Sequence, residues 1–305
     1  MQTKKLILAG GSGFLGQIII DHFYDTATEL VVLTRGAKKT KNNIRYLNWD
    51  GKTIGDWAVE LDGADVLINL TGKSVDCRYN DKNKKEIISS RINAAKVLAE
   101  AISKCKTAPV LWMNAASATI YRHSEDKAMD DYSTEYGEGF SVDVCKQWEA
   151  AFNEANVPNT RKVILRISMV LGKNGGVWPV LSKLVKYGLG GKMGDGKQYI
   201  SWIHEEDFLT VILWFIENEK AKGAYNLAAL NPISNKAFMK LMRQKYKMPF
   251  GMPAASWMLE IGAFFLGTET ELILKSRRVI SKRLPDEGFQ FKYQNADDAM
   301  NDLIA

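Results

Sequence analysis

Residues Lys5–Gly16 read KLILAGGSGFLG. Leu6, Ile7, Leu8 and Ala9 form an uncharged apolar run long enough for one buried strand. Gly10, Gly11, Gly13 and Gly16 follow at once, and Gln17 opens a helix with apolar positions at Ile18, Ile19, Ile20 and Phe23. Glycines where a strand turns into a helix meet the context of a dinucleotide fingerprint. From Gly11 the pattern is G-x-G-x-x-G, and from Gly10 it is G-x-x-G-x-x-G, with Phe14 and Leu15 inside the turn. One glycine permits the tight turn, one lets a pyrophosphate reach the backbone, and one lets helix and strand pack closely. The helix N-terminus adds free N–H groups and partial positive charge. The bland alternative is a tight turn with no ligand.

A second apolar run, Leu30–Leu33, ends in Thr34-Arg35-Gly36. In a βαβ unit this is where the adenosine ribose lies, and an acidic residue there bonds the 2′-hydroxyl of NAD. Arg35 takes that place, with Lys38 and Lys39 beyond it. A planar guanidinium suits a 2′-phosphate, so NADP(H) is the expected cofactor; solvated loop cations are the alternative. Tyr46–Trp49 reads as a short third strand and Ala64–Leu70 as a fourth. Asn69, Thr71 and Gly72 stand at the C-terminal end of the fourth, the edge where open α/β sheets bind ligands. A long helix is expected between Asp76 and about Ile102. Its apolar face carries Ile87, Ile88, Ile92, Ala95, Val97, Leu98 and Ile102, with Asn93 beside it.

Pro109–Asn114 gives a fifth strand that runs into Ala115–Tyr121, where Ser117 is placed to donate to a substrate oxygen or to bond the local backbone. Residues from His123 to Gly137 read as a mobile polar loop. Gly139–Val157 reads as a helix with Val142, Cys145, Trp148 and Phe152 on its apolar side, and it carries Lys146. Val163–Ile167 is a sixth strand, followed by a flexible loop with Gly172, Gly175 and Gly176. Phe208–Ile216 and Phe238–Tyr246 read as helices and Gly223–Leu227 as a strand; Lys275–Arg283 is basic and reads as a solvated helix face, with an anion-contacting patch as the alternative. The fold class is α/β: a Rossmann-type, doubly wound parallel sheet with helices on both faces and a smaller, mainly helical C-terminal region. The expected division is 1–170 for the nucleotide-binding core, with 200–230 returning to it. Residues 171–199 and 231–305 then form the substrate side.

With 305 residues and 46% hydrophobic content the chain can bury a full core. A net charge of +6 over this length does not single out nucleic acid as a partner. Cys77, Cys105 and Cys145 are odd in number and far apart, which suggests neither a disulfide framework nor a zinc site. His22, His123 and His204 form no ligand pair, so no metal is expected. The chain enters a strand at once, and the apolar run Ile261–Gly267 is too short to span a bilayer. A cytoplasmic protein with no membrane partner is expected.

Taken together, GGSGFLG, INLTG, NAASATIY, LRISMVLG and GDGKQYISWIHEEDF resemble an extended short-chain dehydrogenase/reductase. With the ending LPDEGFQFKYQNADDAM, nearly the whole chain is similar to the NAD(P)-dependent epimerase/dehydratase-like proteins named after YfcH, with their small C-terminal extension. The resemblance implies that Gly10, Gly13 and Gly16 hold a pyrophosphate and that Arg35 selects NADP(H). It implies that Asn69, Thr71 and Gly72 line the cofactor and that Ser117 bonds the substrate. It further implies that Lys146 holds the nicotinamide ribose. The general acid/base of such proteins is a tyrosine four residues before the lysine, and that position is Val142. Valine moves no proton, and losing a positioned acid/base typically costs about 10²–10⁴-fold in rate.

Tyr121 is a substitute candidate; Arg78 and Tyr79 could meet a substrate anion, and Glu149 is placed to pair with Lys146 at i, i+3. His204 reads as part of a structural strand–helix turn. The readings are an atypical NADP(H)-dependent oxidoreductase of an unidentified small molecule, and a catalytically silent NADP(H) sensor or interaction module. Val142 argues against a strict nucleotide-sugar epimerase. The resemblance also offers a homodimer through the helices around Ile87–Ile102 and Gly139–Val157.

Overall fold

The computed structural model describes residues 3–36, 38–267 and 269–305. The first half of the chain runs β1 (Lys5–Ala9), α1 (Phe14–Phe23), β2 (Glu29–Thr34), β3 (Lys39–Lys41), β4 (Ile44–Asn48), β5 (Val66–Asn69), α2 (Asp81–Ser103), β6 (Leu111–Ser117), α3 (Phe140–Asn153) and β7 (Arg161–Ile167). It continues as β8 (Met169–Gly172), β9 (Gly175–Gly176), α4 (Trp178–Lys186), β10 (Tyr199–Ile200), β11 (Trp202–His204), α5 (Glu205–Glu217), β12 (Gly223–Leu227), β13 (Ile233–Ser234) and α6 (Asn235–Lys245). It ends with α7 (Ser256–Leu266), α8 (Glu271–Leu274), α9 (Arg283–Asp286) and α10 (Ala296–Ile304).

The main sheet has the order β12-β7-β6-β5-β1-β2-β4-β3 and is parallel except for the β3–β4 pair. The chain winds outward from β1 through β2 and β4, then returns to place β5, β6, β7 and β12 on its other side. The crevice between β1 and β5 is therefore the switch point at which such sheets bind ligands. Residues of β1 alternate between two cores, as a strand covered on both faces must. Leu6 and Leu8 join the cluster that includes Ile19, Phe208 and Phe215, while Ile7 and Ala9 join that of Ala94, Leu98 and Phe152. A third cluster gathers Trp178, Trp202, Phe238, Met242 and Met300 beyond the sheet. Leu284, Phe289 and Phe291, although late in the chain, pack into the first cluster. No helix among the described residues is long and apolar enough to cross a membrane.

Several expectations are corrected. The third strand ends at Asn48, and Trp49 turns inward to stack edge-on against Trp57 at 5.6 Å. The exposed strand β3 adds an antiparallel edge rich in lysine, which discourages pairing with another chain. Gly172 and Gly175 pair across the β8–β9 hairpin, and α4, absent from the sequence reading, follows directly. The stretch 275–281 is not a helix but an extended strap. Val279 bridges Met129 in parallel, and the Arg277 N–H donates to the Tyr199 carbonyl at 2.9 Å. The Ser201 hydroxyl stitches the strap from below, donating to Arg277 O at 2.6 Å and accepting from Val279 N at 2.6 Å. The strap holds the 123–131 loop in turn, through Ser276 N to His123 Nδ1 at 3.1 Å and Met129 N to Arg278 O at 2.7 Å.

Candidate functional site

At the end of β1, Gly10 has φ +73° and donates its N–H to the Leu33 carbonyl at 2.9 Å. A Cβ there would fall 2.7–2.8 Å from Thr71, so the turn between β1 and β5 is closed to other residues. A Cβ on Gly16 would lie 2.2 Å from the Gly11 carbonyl oxygen, which fixes the close approach of α1 to the turn. Gly13 is the opposite case: it caps α1, and a Cβ there meets nothing within 4 Å. No side chain caps α1 and no acid stands in its first turn. Its first N–H groups therefore face open space with a positive helix end behind them, which fits a pyrophosphate. The Phe14 ring turns away, into the β8–β9 hairpin. Cβ atoms on Gly172 and Gly175 would fall 2.5 Å and 2.3 Å from it, so these glycines seat a ring and do not make the flexible loop expected there. Leu15 packs at the margin of the first core.

Arg35 lies exposed just beyond β2, and Asn48 Nδ2 ties its carbonyl and that of Gly36 at 3.3 Å each. Lys38 stands 3.6 Å from Asp56, and Lys39 lies over the Tyr46 ring at 4.5 Å. Among the described residues the Arg35 guanidinium has no ion pair, which leaves it open to a phosphate. At the end of β5, Asn69 is fully buried. It donates Nδ2 to Asn114 at 2.7 Å and accepts from Thr71 N at 3.0 Å, so it braces the strand ends. The Thr71 hydroxyl is buried beside Gly10 and has no hydrogen-bond partner among the described residues. Gly72 lies under the Arg91 guanidinium, 2.9 Å from where its Cβ would be.

Ser117 caps a short 3-10 turn and accepts from Thr119 N at 3.2 Å; its own proton is uncommitted to that bond. Tyr121 is fully buried. Its hydroxyl lies 3.0 Å from both the Asp130 carbonyl and Asn226 Oδ1, and it accepts from Arg166 at 2.8 Å. Burial pushes its pKa up to about 12 despite the Arg166 charge. A phenol so placed is a core anchor, and the idea of Tyr121 as the substitute base is withdrawn.

Helix α3 carries Lys146 and Val142, the two positions of the expected pair. Lys146 is exposed and donates to the Gly137 carbonyl at 3.1 Å, while Val142 is fully buried against Gly137. The residues turned toward the other functional groups are Ser141, Cys145 and Glu149, spaced i, i+4, i+8 on one helical face. Ser141 donates to Glu271 at 3.0 Å and is hydrogen-bonded to Tyr79. Cys145 is buried beside Glu149, which together push its pKa up to about 12. Glu149 does not pair with Lys146; Arg166 claims both of its oxygens at 2.8 Å. At the four-residue spacing on this face the chain offers a hydroxyl and a thiol, and neither a phenol nor an ammonium. Tyr79 packs edge-on against Phe140 at 4.9 Å, and burial raises its pKa against the Ser141 bond.

His204 is buried at the head of α5, where Nδ1 accepts from Glu206 N at 3.1 Å and the ring stacks on Tyr293 at 3.9 Å. Burial lowers its pKa against the pull of Asp302, 3.4 Å from Nε2. The sequence reading missed Arg91 and Ser141, and it took in Arg277 only as one of the Lys275–Arg283 cations. Arg91 had a signal, since it falls four residues after Ile87 on the apolar face of α2, where a charge is out of place.

Comparisons with known proteins identify the family. A family model described as NAD dependent epimerase/dehydratase family matches residues 6–228, and a domain of unknown function (DUF1731) matches residues 254–303. The chain is 32% identical over 302 residues to the epimerase family protein YfhF of Bacillus subtilis, covering 99% of this chain and 98% of that one. Among solved structures it is similar to the human epimerase family protein SDR39U1 (isoform2) with NADPH, with a TM-score of 0.87 at 25% identity, over 98% of this chain and 99% of that one. It also resembles a nucleoside-diphosphate sugar epimerase from Corynebacterium glutamicum, with a TM-score of 0.79 at 26% identity, over 99% of this chain and 58% of that one.

Proposed function

This chain belongs to the NAD-dependent epimerase/dehydratase family, and from that premise we propose that it binds NADP(H) and acts as an atypical oxidoreductase on a small molecule. The observation that carries the reading is the pair of open positions at the sheet edge: the uncapped start of α1 at Gly13 and the unpaired Arg35 at the end of β2. The first takes a pyrophosphate through backbone N–H groups, and the second takes a 2′-phosphate through a charged fork. The similar human protein was solved with NADPH, which supports the choice of nucleotide. Bound there, the cofactor supplies or accepts a hydride. The chain holds its phosphates, keeps Thr71 and Ser117 at the edge of the crevice, and offers the Tyr79–Ser141–Glu271 chain as a route for a proton. On this reading residues 1–170 and 200–230 form the nucleotide-binding core, and 171–199 with 231–305 the substrate side.

Fluorescence titration with NADPH and NADH tests the proposal. NADPH binds more tightly, and Arg35→Ala removes about tenfold of that preference. Tighter binding of NADH than NADPH by the unaltered protein would sink the argument from Arg35. A second reading, a silent sensor, is favoured by the hydroxyl and thiol that stand where a phenol and an ammonium are needed. Tight NADPH binding with no hydride transfer to any of a broad panel of carbonyl compounds selects it. Turnover by the unaltered protein that falls in Ser141→Ala at unchanged NADPH affinity selects the oxidoreductase.

A further inference from the structure

Arg91 and Arg277 are buried cations that the nucleotide cradle does not use. Arg91 is 9% exposed and lies against Gly72, at the ligand edge of β5. Its Nη1 donates to the carbonyls of Lys73 and Ile87 at 3.0 Å and 2.9 Å, and its plane covers the Trp148 ring at 4.9 Å. Its Nε is buried with no acceptor among the described residues. Arg277 stands on the strap, and its side chain is 17% exposed. Both its Nε and its Nη1 are buried with no acceptor among the described residues, and Nη2 reaches Glu271 only at 3.6 Å. Glu271 also meets Lys275 at 3.1 Å and accepts from Ser141 at 3.0 Å, so its one negative charge is shared between two cations.

The two guanidiniums share an environment. Each lies within Coulombic range of the same two side chains, Tyr79 and Cys145. Cys145 packs with Val279 of the strap and with Ala118 at the end of β6, which brings α2, α3, the strap and the ligand edge to one place. The charges gathered there are Arg91, Arg277, Lys275 and Arg78 against the carboxylates of Glu271 and of Glu269, which accepts from Tyr79 N at 2.8 Å and lies 3.5 Å from Arg78. An excess of buried positive charge is costly unless an anion answers it. A guanidinium offers two parallel forks, Nε–H with Nη2–H and Nη1–H with Nη2–H, each able to take an oxyanion in two hydrogen bonds. On Arg277 either fork pairs one nitrogen that lacks an acceptor among the described residues with Nη2, whose contact to Glu271 is 3.6 Å.

We propose that Arg277 and Arg91 clamp an oxyanion, carboxylate or phosphate, carried by the small-molecule substrate. Arg277 is the principal donor, because two of its three nitrogens lack an acceptor among the described residues and the third has only the 3.6 Å contact to Glu271; Arg91 adds Nε. The clamp sets the anion beside Tyr79 and Ser141 and so determines which end of the substrate faces the crevice. The orientation rests on the nucleotide reading above; the anion site itself does not.

The test is a calorimetric titration of the full chain with inorganic phosphate and, separately, with malonate, at ionic strength held constant with sodium chloride. It is run on the unaltered protein, Arg277→Met, Arg277→Lys and Arg91→Met, with NADPH affinity measured on the same samples. The unaltered protein binds phosphate, malonate or both saturably. Arg277→Met weakens that binding about tenfold or more, Arg91→Met weakens it less, and NADPH affinity stays within about threefold. Which probe binds distinguishes the two sources of the oxyanion. Arg277→Lys keeps the charge without the fork, so intermediate weakening supports bidentate capture and also serves should Arg277→Met fold poorly. No saturable binding of either anion overturns the clamp, as does equal binding by the Arg277 variants. Loss of NADPH binding by the unaltered protein overturns the cofactor reading alone and leaves the anion titration standing.

Discussion

Arg166 and Arg277 are both guanidiniums taken out of water beside α3, and they differ in what meets them. Arg166, 5% exposed, spends Nε and Nη2 on Glu149 at 2.8 Å each and Nη1 on the Tyr121 hydroxyl at 2.8 Å. Tyr121 and Tyr136 cover it at 5.4 Å and 5.5 Å. Burial opposes its charge, yet the Glu149 carboxylate more than offsets this and the pKa rises. For Arg277 burial lowers the pKa, and the more distant Glu271 does not restore it. The same residue type is thus a closed structural knot in one place and a half-used donor in the other. The difference lies in whether buried hydrogen-bonding capacity is consumed within the chain.

Removing each arginine breaks the comparison most directly. Arg166→Met leaves Glu149 buried without its partner and costs about 3–5 kcal/mol of stability, read as a fall in urea midpoint. Pairing it with Glu149→Leu recovers much of that loss, because the stranded charge goes too. Arg277→Met, by contrast, leaves the midpoint within about 1 kcal/mol of the parent or raises it. A loss as large as that of Arg166→Met would show that Arg277 is structural after all.

The glycine turn repeats the contrast on a smaller scale. Gly16→Ala drives a Cβ into the Gly11 carbonyl and costs about 1–3 kcal/mol. Gly13→Ala meets no protein atom, so stability shifts by less than about 1 kcal/mol while NADPH affinity drops, as seen by fluorescence titration. Lys146→Ala has a smaller effect still: its Nζ serves Gly137, and NADPH affinity stays within about threefold of the parent. If affinity instead collapses, the original assignment of Lys146 to the cofactor ribose returns.

His204 gives the smallest effect and tests burial of a titrating base. Its pKa is lowered in the folded state, so below the usual value near 6.5 the unfolded chain binds the proton more readily. Stability is therefore complete above that value and is lost as pH falls through it toward the folded pKa, by no more than about 1.4 kcal/mol per pH unit. Urea midpoints between pH 7.5 and 5.5 show the slope, and His204→Asn, which can still cap α5, flattens it.

Much of the fold could be read from the chain because buried parallel strands are nearly pure apolar runs. Gly223–Leu227 coincides with β12, and Leu30–Leu33 lies inside β2. The glycine turn was legible for the same local reason. The rest was not. Apolar spacing on α3 marks Val142, Cys145, Trp148 and Phe152 as buried, yet burial against a helix and burial against a ligand edge leave the same pattern. That is why the pattern does not separate Lys146 from its neighbours Ser141 and Cys145 as the residue that meets a ligand. Arg277 sits in a run of cations whose partners, Tyr199, Met129 and Ser201, are remote in sequence, so no local pattern separates it from a solvated lysine.

The strap has a consequence for the order of events during synthesis. β1, α1 and β2, which carry the nucleotide turn, lie within the first 34 residues and are synthesised while most of the chain is still to come, although Thr71 closes the turn and Gly172 and Gly175 seat Phe14 only later. The anion clamp waits for residue 277, and the 123–131 loop is stitched in place only when Ser276 and Arg278 arrive. A nascent chain thus acquires its nucleotide cradle long before it acquires its means of choosing a substrate.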